Sequence, residues 1–278
     1  IWGFGFIAQS VGMDHIGPFT FQAVRCLLAV LFLIPCAFVL DIGKCSFRES
    51  VAKWKNPALW RVGLICGCAL FVASSLQQIG IVYTDAGKAG FITAMYIVLV
   101  PVMGLFLGKK PPRTTVFSVA LAVVGLYLLC LAGRDTLSLT GGEWQLLLCA
   151  ALFTLQIMLV NHFSPQLDGI QLSFMQFLVV AVLSTVFMFA FETPSIEQFR
   201  GAAVSIAYCG IMSSGVAYTL QIVGQKELDP TIASLAMCLE SVFSALAGWL
   251  ILGETLSATE LCGCVLMFGA IVASQLPE

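Results

Sequence analysis

From Asp229 to Glu254 the chain is apolar for roughly the length that carries an α-helix across a bilayer, with one carboxylate, Glu240, near the middle. Runs of this kind recur along the chain and constrain it more than any other feature. They fall at Phe19–Leu40, Val62–Tyr83, Lys88–Leu107, Thr115–Ala132, Trp144–Val160, Ile170–Phe191, Ala202–Val223, Thr231–Leu252 and Leu261–Ser274. A shorter run, Ile1–Val11, opens the sequence and reads as a first helix whose start lies upstream. Only 10% of the 278 residues are charged and 59% are hydrophobic, against about 25% charged in soluble domains. The predicted fold class is an all-α integral membrane protein with ten transmembrane helices, the first truncated.

Charge and cysteine content narrow the function classes. A net charge of -2 without a long basic run argues against nucleic-acid binding. The cysteines number eleven, an odd count at irregular spacing, so they form no disulfide framework. The pairs Cys66/Cys68 and Cys262/Cys264 have no histidine near them and read as small packing residues, so neither metal nor cofactor is expected. Lys44, Arg48, Lys53, Lys55 and Arg61 share one connection, the basic KKPPR segment (Lys109–Arg113) is another, and Lys226 adds to the same side. The opposite side has only Lys88, Arg134 and Arg200. By the positive-inside rule both termini are expected in the cytoplasm, in a multi-pass protein of the plasma or inner membrane.

The sequence also repeats. LQQIGIVYTDAGKAGF (Leu76–Phe91) aligns without gaps on LQIVGQKELDPTIASL (Leu220–Leu235), matching Gln77 to Gln221, Gly80 to Gly224 and Asp85 to Asp229. The same register sets Tyr96 opposite Glu240. Charge, Ser/Thr and a Gly pair break the hydrophobic pattern over 134–143 and suggest a linker between a first half, 1–133, and a second, 144–278. Five spans per half is an odd number, so the second copy enters the membrane from the other side. Inverted repeats of this kind usually hold their site near the midplane.

Three separated segments, WGFGFIAQSVGMDHIGPFTFQAVR (Trp2–Arg25), YTDAGKAGFITAMYIVLVP (Tyr83–Pro101) and LESVFSALAGWLILGE (Leu239–Glu254), together resemble the EamA-type family of the drug/metabolite transporter superfamily. The resemblance covers nearly the whole chain. It implies two inverted five-helix EamA repeats, a central cavity and export of small metabolites. Ser241 stands where many members place Pro, which predicts a less kinked ninth helix.

Candidate residues follow from polar groups inside the spans. Glu240 and Arg25 lie at similar depths and either line a wet cavity, binding an amine or proton and a carboxylate, or form a buried ion pair. Glu240, Ser244 and Gly248 recur at i, i+4 and i+8, a small polar face that admits either a ligand or another helix. Ser214, Tyr218, Gln221 and Gln225 form one stripe, and Trp2, Phe6, Gln9 and Met13 another at the same spacing. Gln77, Gln156 and Gln176 extend the set, and Tyr96 joins it by alignment with Glu240; interhelical hydrogen bonds are the alternative for each Gln. Lys88 is a candidate at the cavity entrance, or a snorkelling interfacial lysine. Pro101 predicts a kink in the fourth helix, and Gly63/Gly67 and Gly104/Gly108 predict packing seams.

The reading that joins these features is a transporter of amino acids or similar amphipathic solutes, working by alternating access around a midplane cavity. Its expected partners are a small-molecule substrate and the lipid bilayer, with the protein a monomer or weak dimer. A membrane-embedded lipid-modifying enzyme is a rival, but the sequence has no H-E-x-x-H, G-x-S-x-G or Walker pattern. A channel-like facilitator is the other.

Overall fold

In the bilayer interior no water satisfies backbone groups, so apolar runs of this length close their hydrogen bonds as helices. The computed structural model describes residues 1–42, 46–84, 86–131, 141–252 and 255–275. Its helices are α1 (Trp2–Met13), α2 (Pro18–Asp41), α3 (Phe47–Lys53), α4 (Pro57–Tyr83), α5 (Ala86–Thr93), α6 (Tyr96–Phe106) and α7 (Arg113–Cys130). After these come α8 (Gly141–Phe163), α9 (Gly169–Phe191), α10 (Ile196–Ala207), α11 (Tyr218–Gln225), α12 (Pro230–Met237), α13 (Leu239–Ala247) and α14 (Ala258–Ser274). Tyr208–Ala217 is π-helical and joins α10 to α11; a second π-helical stretch, Gly248–Leu252, follows α13. Taking α5 with α6, α10 with α11 and α12 with α13 as single interrupted spans, and setting the short α3 aside, gives ten helical segments among the described residues. Among the described residues eight segments are long and apolar enough to cross a membrane, while Ala258–Ser274 is apolar but shorter.

Several spans begin earlier than hydropathy predicts, because polar caps extend the helix past the apolar run. Asp168 accepts from Ile170 N–H and Gln171 N–H to start α9, and Ser257 with Glu260 forms a capping box on α14. The connection Asp41–Arg61 is likewise not all loop, since it contains α3. Most of the predicted linker 134–143 lies outside the described residues, and Gly141–Glu143 open α8.

The chain divides into two compact units, and each draws on both halves of the sequence. Residues 1–10, 76–158 and 228–278 form the first. Here α7 and α14 cross at two facing glycines: a Cβ on Gly125 would lie 2.9 Å from the Gly263 carbonyl oxygen, and one on Gly263 2.6 Å from that of Gly125. Dispersion between backbones in contact is the main attraction there, since lipid offers no hydrophobic drive between helices. Phe6, Ile81, Ala89, Ile92 and Leu146 make a buried cluster in the same unit.

Residues 11–75 and 159–227 form the second unit. Gly63 and Gly67 seat α4 against Met175 and Val179 of α9, as a packing seam requires. The N-terminus of α2 has no local side-chain cap. Glu192, just past the end of α9, supplies one by accepting from Phe19 N–H and Thr20 N–H, both at 2.8 Å, and from Thr20 Oγ1. Those N–H groups are helix-end orphans, and the carboxylate sits where the helix dipole favours it.

Other local expectations are corrected. Gly104 and Gly108 are no seam: Gly108 takes φ +80°, Lys109 N–H donates to Gly104 O and Gly108 N–H to Leu105 O. That is a Schellman stop for α6, which only a residue at ease with positive φ completes. The fourth span is interrupted at Ala94–Met95, before Pro101, which lies within α6. Proline frees the carbonyl four residues back, that of Ile97, which is already past the interruption. The ninth span breaks as well, at Cys238, despite Ser241 in place of Pro.

Candidate functional site

The two interruptions occupy equivalent places. Tyr96 stands ten residues on from Ala86, the start of α5, and Glu240 ten on from Pro230, the start of α12, roughly 15 Å into each span. At the first break Ile97 N–H donates to Ala94 O and Val98 N–H to Met95 O, both at 3.0 Å and three residues back rather than four. At the second, Ser241 N–H donates to Cys238 O at 3.2 Å with the same shortened step. The helix therefore restarts twice at depth, with Tyr96 as the first residue of α6 and Glu240 as the second of α13.

Restarting the helix changes what a carboxylate experiences there. In an unbroken span Glu240 would lie mid-helix; here it lies in the first turn of α13, at the end of a helix dipole that favours negative charge. Tyr96 Oη–H donates to Glu240 Oε1 at 3.0 Å, and Cys238 Sγ–H donates to Ala94 O at 3.7 Å. Both bonds join residues 144 apart in sequence, the offset of the Leu76/Leu220 repeat.

Tyr96 is buried and Glu240 partly exposed. Beside them the hydroxyls of Thr93 and Ser241 are buried with no hydrogen-bond partner among the described residues. The break thus carries one carboxylate, one phenol and two hydroxyls with free capacity, groups suited to a small solute bearing hydrogen-bond donors.

The remaining sequence candidates divide between the units. In the first, Phe6 belongs to the buried cluster with Ile92, Gln9 is buried and donates to Gly5 O at 3.3 Å, and Gln77 is buried. Trp2 and Ser244 are partly exposed. A Cβ on Gly3 would lie 2.6 Å from Ser244 N, so it is the backbone of α1 that packs at Ser244. The side chain of Lys88 lies outside the described residues. In the second unit Arg25 is buried in α2, its Cζ 5.7 Å from the Phe21 ring centroid, a cation–π contact. Gln176 and Gln156 are buried, the latter in the first unit, and Tyr218 packs edge-on against Phe177 with ring centroids 5.3 Å apart. Gln221 Nε2 donates to Gln225 Oε1 at 3.3 Å. The predicted four-residue stripe does not hold as drawn, because Ser214 lies in the π-helical stretch and falls out of α-helical phase with Tyr218.

Two polar residues escaped the sequence reading. Gln78 is fully buried and neither end of its amide has a partner among the described residues. Gln22 donates to Ser75 Oγ at 3.1 Å, and its own carbonyl oxygen has no partner among the described residues. Repeat symmetry flagged Gln77, whose counterpart is Gln221, and passed over Gln78, whose counterpart is the apolar Ile222. Counting intramembrane amides without regard to symmetry would have found both.

Comparison with known proteins adds a family. A model described as the EamA-like transporter family matches residues 1–131 and 140–274. An uncharacterized transporter of Archaeoglobus fulgidus is 28% identical over 277 residues, spanning 99% of this chain and 82% of that protein. The uncharacterized transporter YoaV of Bacillus subtilis is 25% identical, over 96% of this chain and 90% of its own. A chloroplastic WAT1-related protein of Arabidopsis thaliana is 26% identical over 100% of this chain and 67% of its own. One crystal structure superimposes with a TM-score of 0.77 at 17% identity, covering 99% of this chain and 95% of its own, a likeness of fold.

Proposed function

The chain belongs to the EamA-like transporter family, and on that premise we propose that this multi-pass membrane transporter exports small amphipathic metabolites, such as amino acids, by alternating access around Glu240. The observation that carries the proposal is the Tyr96–Glu240 hydrogen bond at paired helix interruptions. Interrupted helices that meet near the midplane are where transporters of inverted-repeat design hold substrate or coupling ion. In this reading Glu240 takes the substrate amine or a proton, and Tyr96 holds the carboxylate in place while the site is empty. Trp2, Phe6, Gln9, Gln77 and Ser244 are the further proposed contacts in the first unit. Arg25, Gln176, Tyr218 and Gln221 are those in the second, with Arg25 receiving a substrate carboxylate, and Lys88 serves the entrance. Two of the relatives bear transporter names, which supports transport over catalysis. We place the protein in the plasma or inner membrane with both termini cytoplasmic.

Proteoliposomes test this directly. Efflux of amino acids, purines and amines is screened with and without a pH gradient, and the best substrate is then assayed with Glu240→Gln and Tyr96→Phe. Glu240→Gln is expected to slow transport about tenfold or more, from the ~1.5–3 kcal/mol of a hydrogen bond to a charged group. Tyr96→Phe is expected to slow it about two- to tenfold, since the carboxylate remains and loses one donor. Normal transport by Glu240→Gln would overturn the assignment.

A further inference from the structure

The segment between α2 and α4 is bracketed by two membrane spans, so it is held at the membrane–water boundary wherever the rest of the protein moves. Within it α3 has three distinct stripes. Ser50 Oγ–H and Lys53 Nζ both donate to Asp41, each at 2.6 Å, clamping one stripe to the end of α2. Phe47, Val51 and Trp54 fall at i, i+4 and i+7 on a second. Phe47 and Trp54 both pack on Phe38, with ring centroids 5.7 and 6.3 Å away, and Trp54 also meets Phe174 edge-on at 4.8 Å. Phe47 nevertheless remains 75% exposed, an aromatic ring left facing outward at the boundary.

The third stripe is Arg48, Ala52 and Lys55, all exposed, and Arg61 is exposed at the start of α4. Charge within the segment is unevenly compensated. Asp41 is paired with Lys53. Glu49 turns its carboxylate onto its own helix cap, accepting from Ser46 N–H at 2.8 Å and from Ser46 Oγ–H at 2.9 Å. Those bonds hold its carboxyl below the ordinary range. Among the described residues of the segment, Arg48, Lys55 and Arg61 have no acidic neighbour of this kind. Exposed cations beside an exposed aromatic ring match the headgroup region of an anionic leaflet, where phosphate meets the first acyl carbons.

We propose that α3 and its flanks form a docking shelf for anionic phospholipid, with Arg48, Lys55 and Arg61 binding headgroup phosphate and Phe47 inserted beside them. The shelf tethers the α2–α4 connection to the leaflet and makes the protein's stability depend on lipid charge.

The full chain is reconstituted in nanodiscs of phosphatidylcholine alone, or with phosphatidylglycerol added, and its Tm is followed by tryptophan fluorescence. Wild type is expected to melt several degrees higher with phosphatidylglycerol, and the increment to shrink as salt rises. The variant R48Q/K55Q/R61Q is expected to match wild type in phosphatidylcholine and to lose most of the increment. Arg200→Gln, in α10 and away from the shelf, keeps it. Phosphatidylglycerol adducts counted by native mass spectrometry on the single variants Arg48→Gln and Lys55→Gln cover the case of a poorly folding triple variant. Each is expected to weaken lipid binding about fivefold. An undiminished increment in the triple variant, or an equal loss in Arg200→Gln, would overturn the proposal. So would an equal Tm rise in phosphatidylcholine nanodiscs on adding inorganic phosphate, which would mark a free-anion site instead of a lipid shelf.

Discussion

At the residue scale, what a polar side chain does inside the membrane depends on its partner. Glu240 sits in the first turn of a restarted helix and accepts from Tyr96, so a helix end and a phenol both face its carboxyl group. Glu192 illustrates the same principle in a structural role, closing the N-terminus of α2 from 172 residues away. Replacing Glu192 by Ala strips that cap, and a loss of ~0.5–2 kcal/mol is expected, read as a lower Tm in detergent with no change in the substrate screened. Gln78 is the reverse case, a buried amide with neither end engaged among the described residues. Gln78→Leu removes the desolvation cost, and a gain of about 1–3 kcal/mol is expected in the same melting assay. Transport by that variant then reports whether the amide also serves the solute.

Among whole elements, the interrupted spans matter most. Tyr96 and Glu240, aligned by the repeat register, touch where both helices break. Sequence periodicity treats a span as one continuous helix, so it assigned the irregularity to Pro101 and missed the breaks at Ala94–Met95 and Cys238. The same assumption misplaced Ser214, since a π-helical stretch shifts the face on which later residues fall. Glycines divide by what faces them. Gly125→Leu is expected to prevent α7 and α14 from closing, because its Cβ would already sit 2.9 Å from a backbone oxygen; Gly269→Ala, with nothing within 4 Å, is expected to be silent. Folded yield by size-exclusion chromatography separates the two.

For the molecule as a whole, the two compact units each take segments from both halves of the chain, while the family match falls into two consecutive stretches, 1–131 and 140–274. The lipid shelf belongs to this scale too, since two spanning helices fix where α3 lies. Much of the architecture was legible in the residues: the apolar runs gave the spans, and the Leu76/Leu220 offset set Tyr96 opposite Glu240 before any contact was known. Hydropathy and repeat register are properties of the chain taken locally, each read a short window at a time, so the sequence by itself determined the membrane class, the long apolar helices and the carboxyl group within one of them. Only the tertiary structure decided where the helices break, that Tyr96 donates to Glu240, that Glu192 caps α2 and that Gln78 is left unpartnered. Those facts join or isolate groups more than a hundred residues apart, and the chain's own order holds no distance between them until packing brings the helices together.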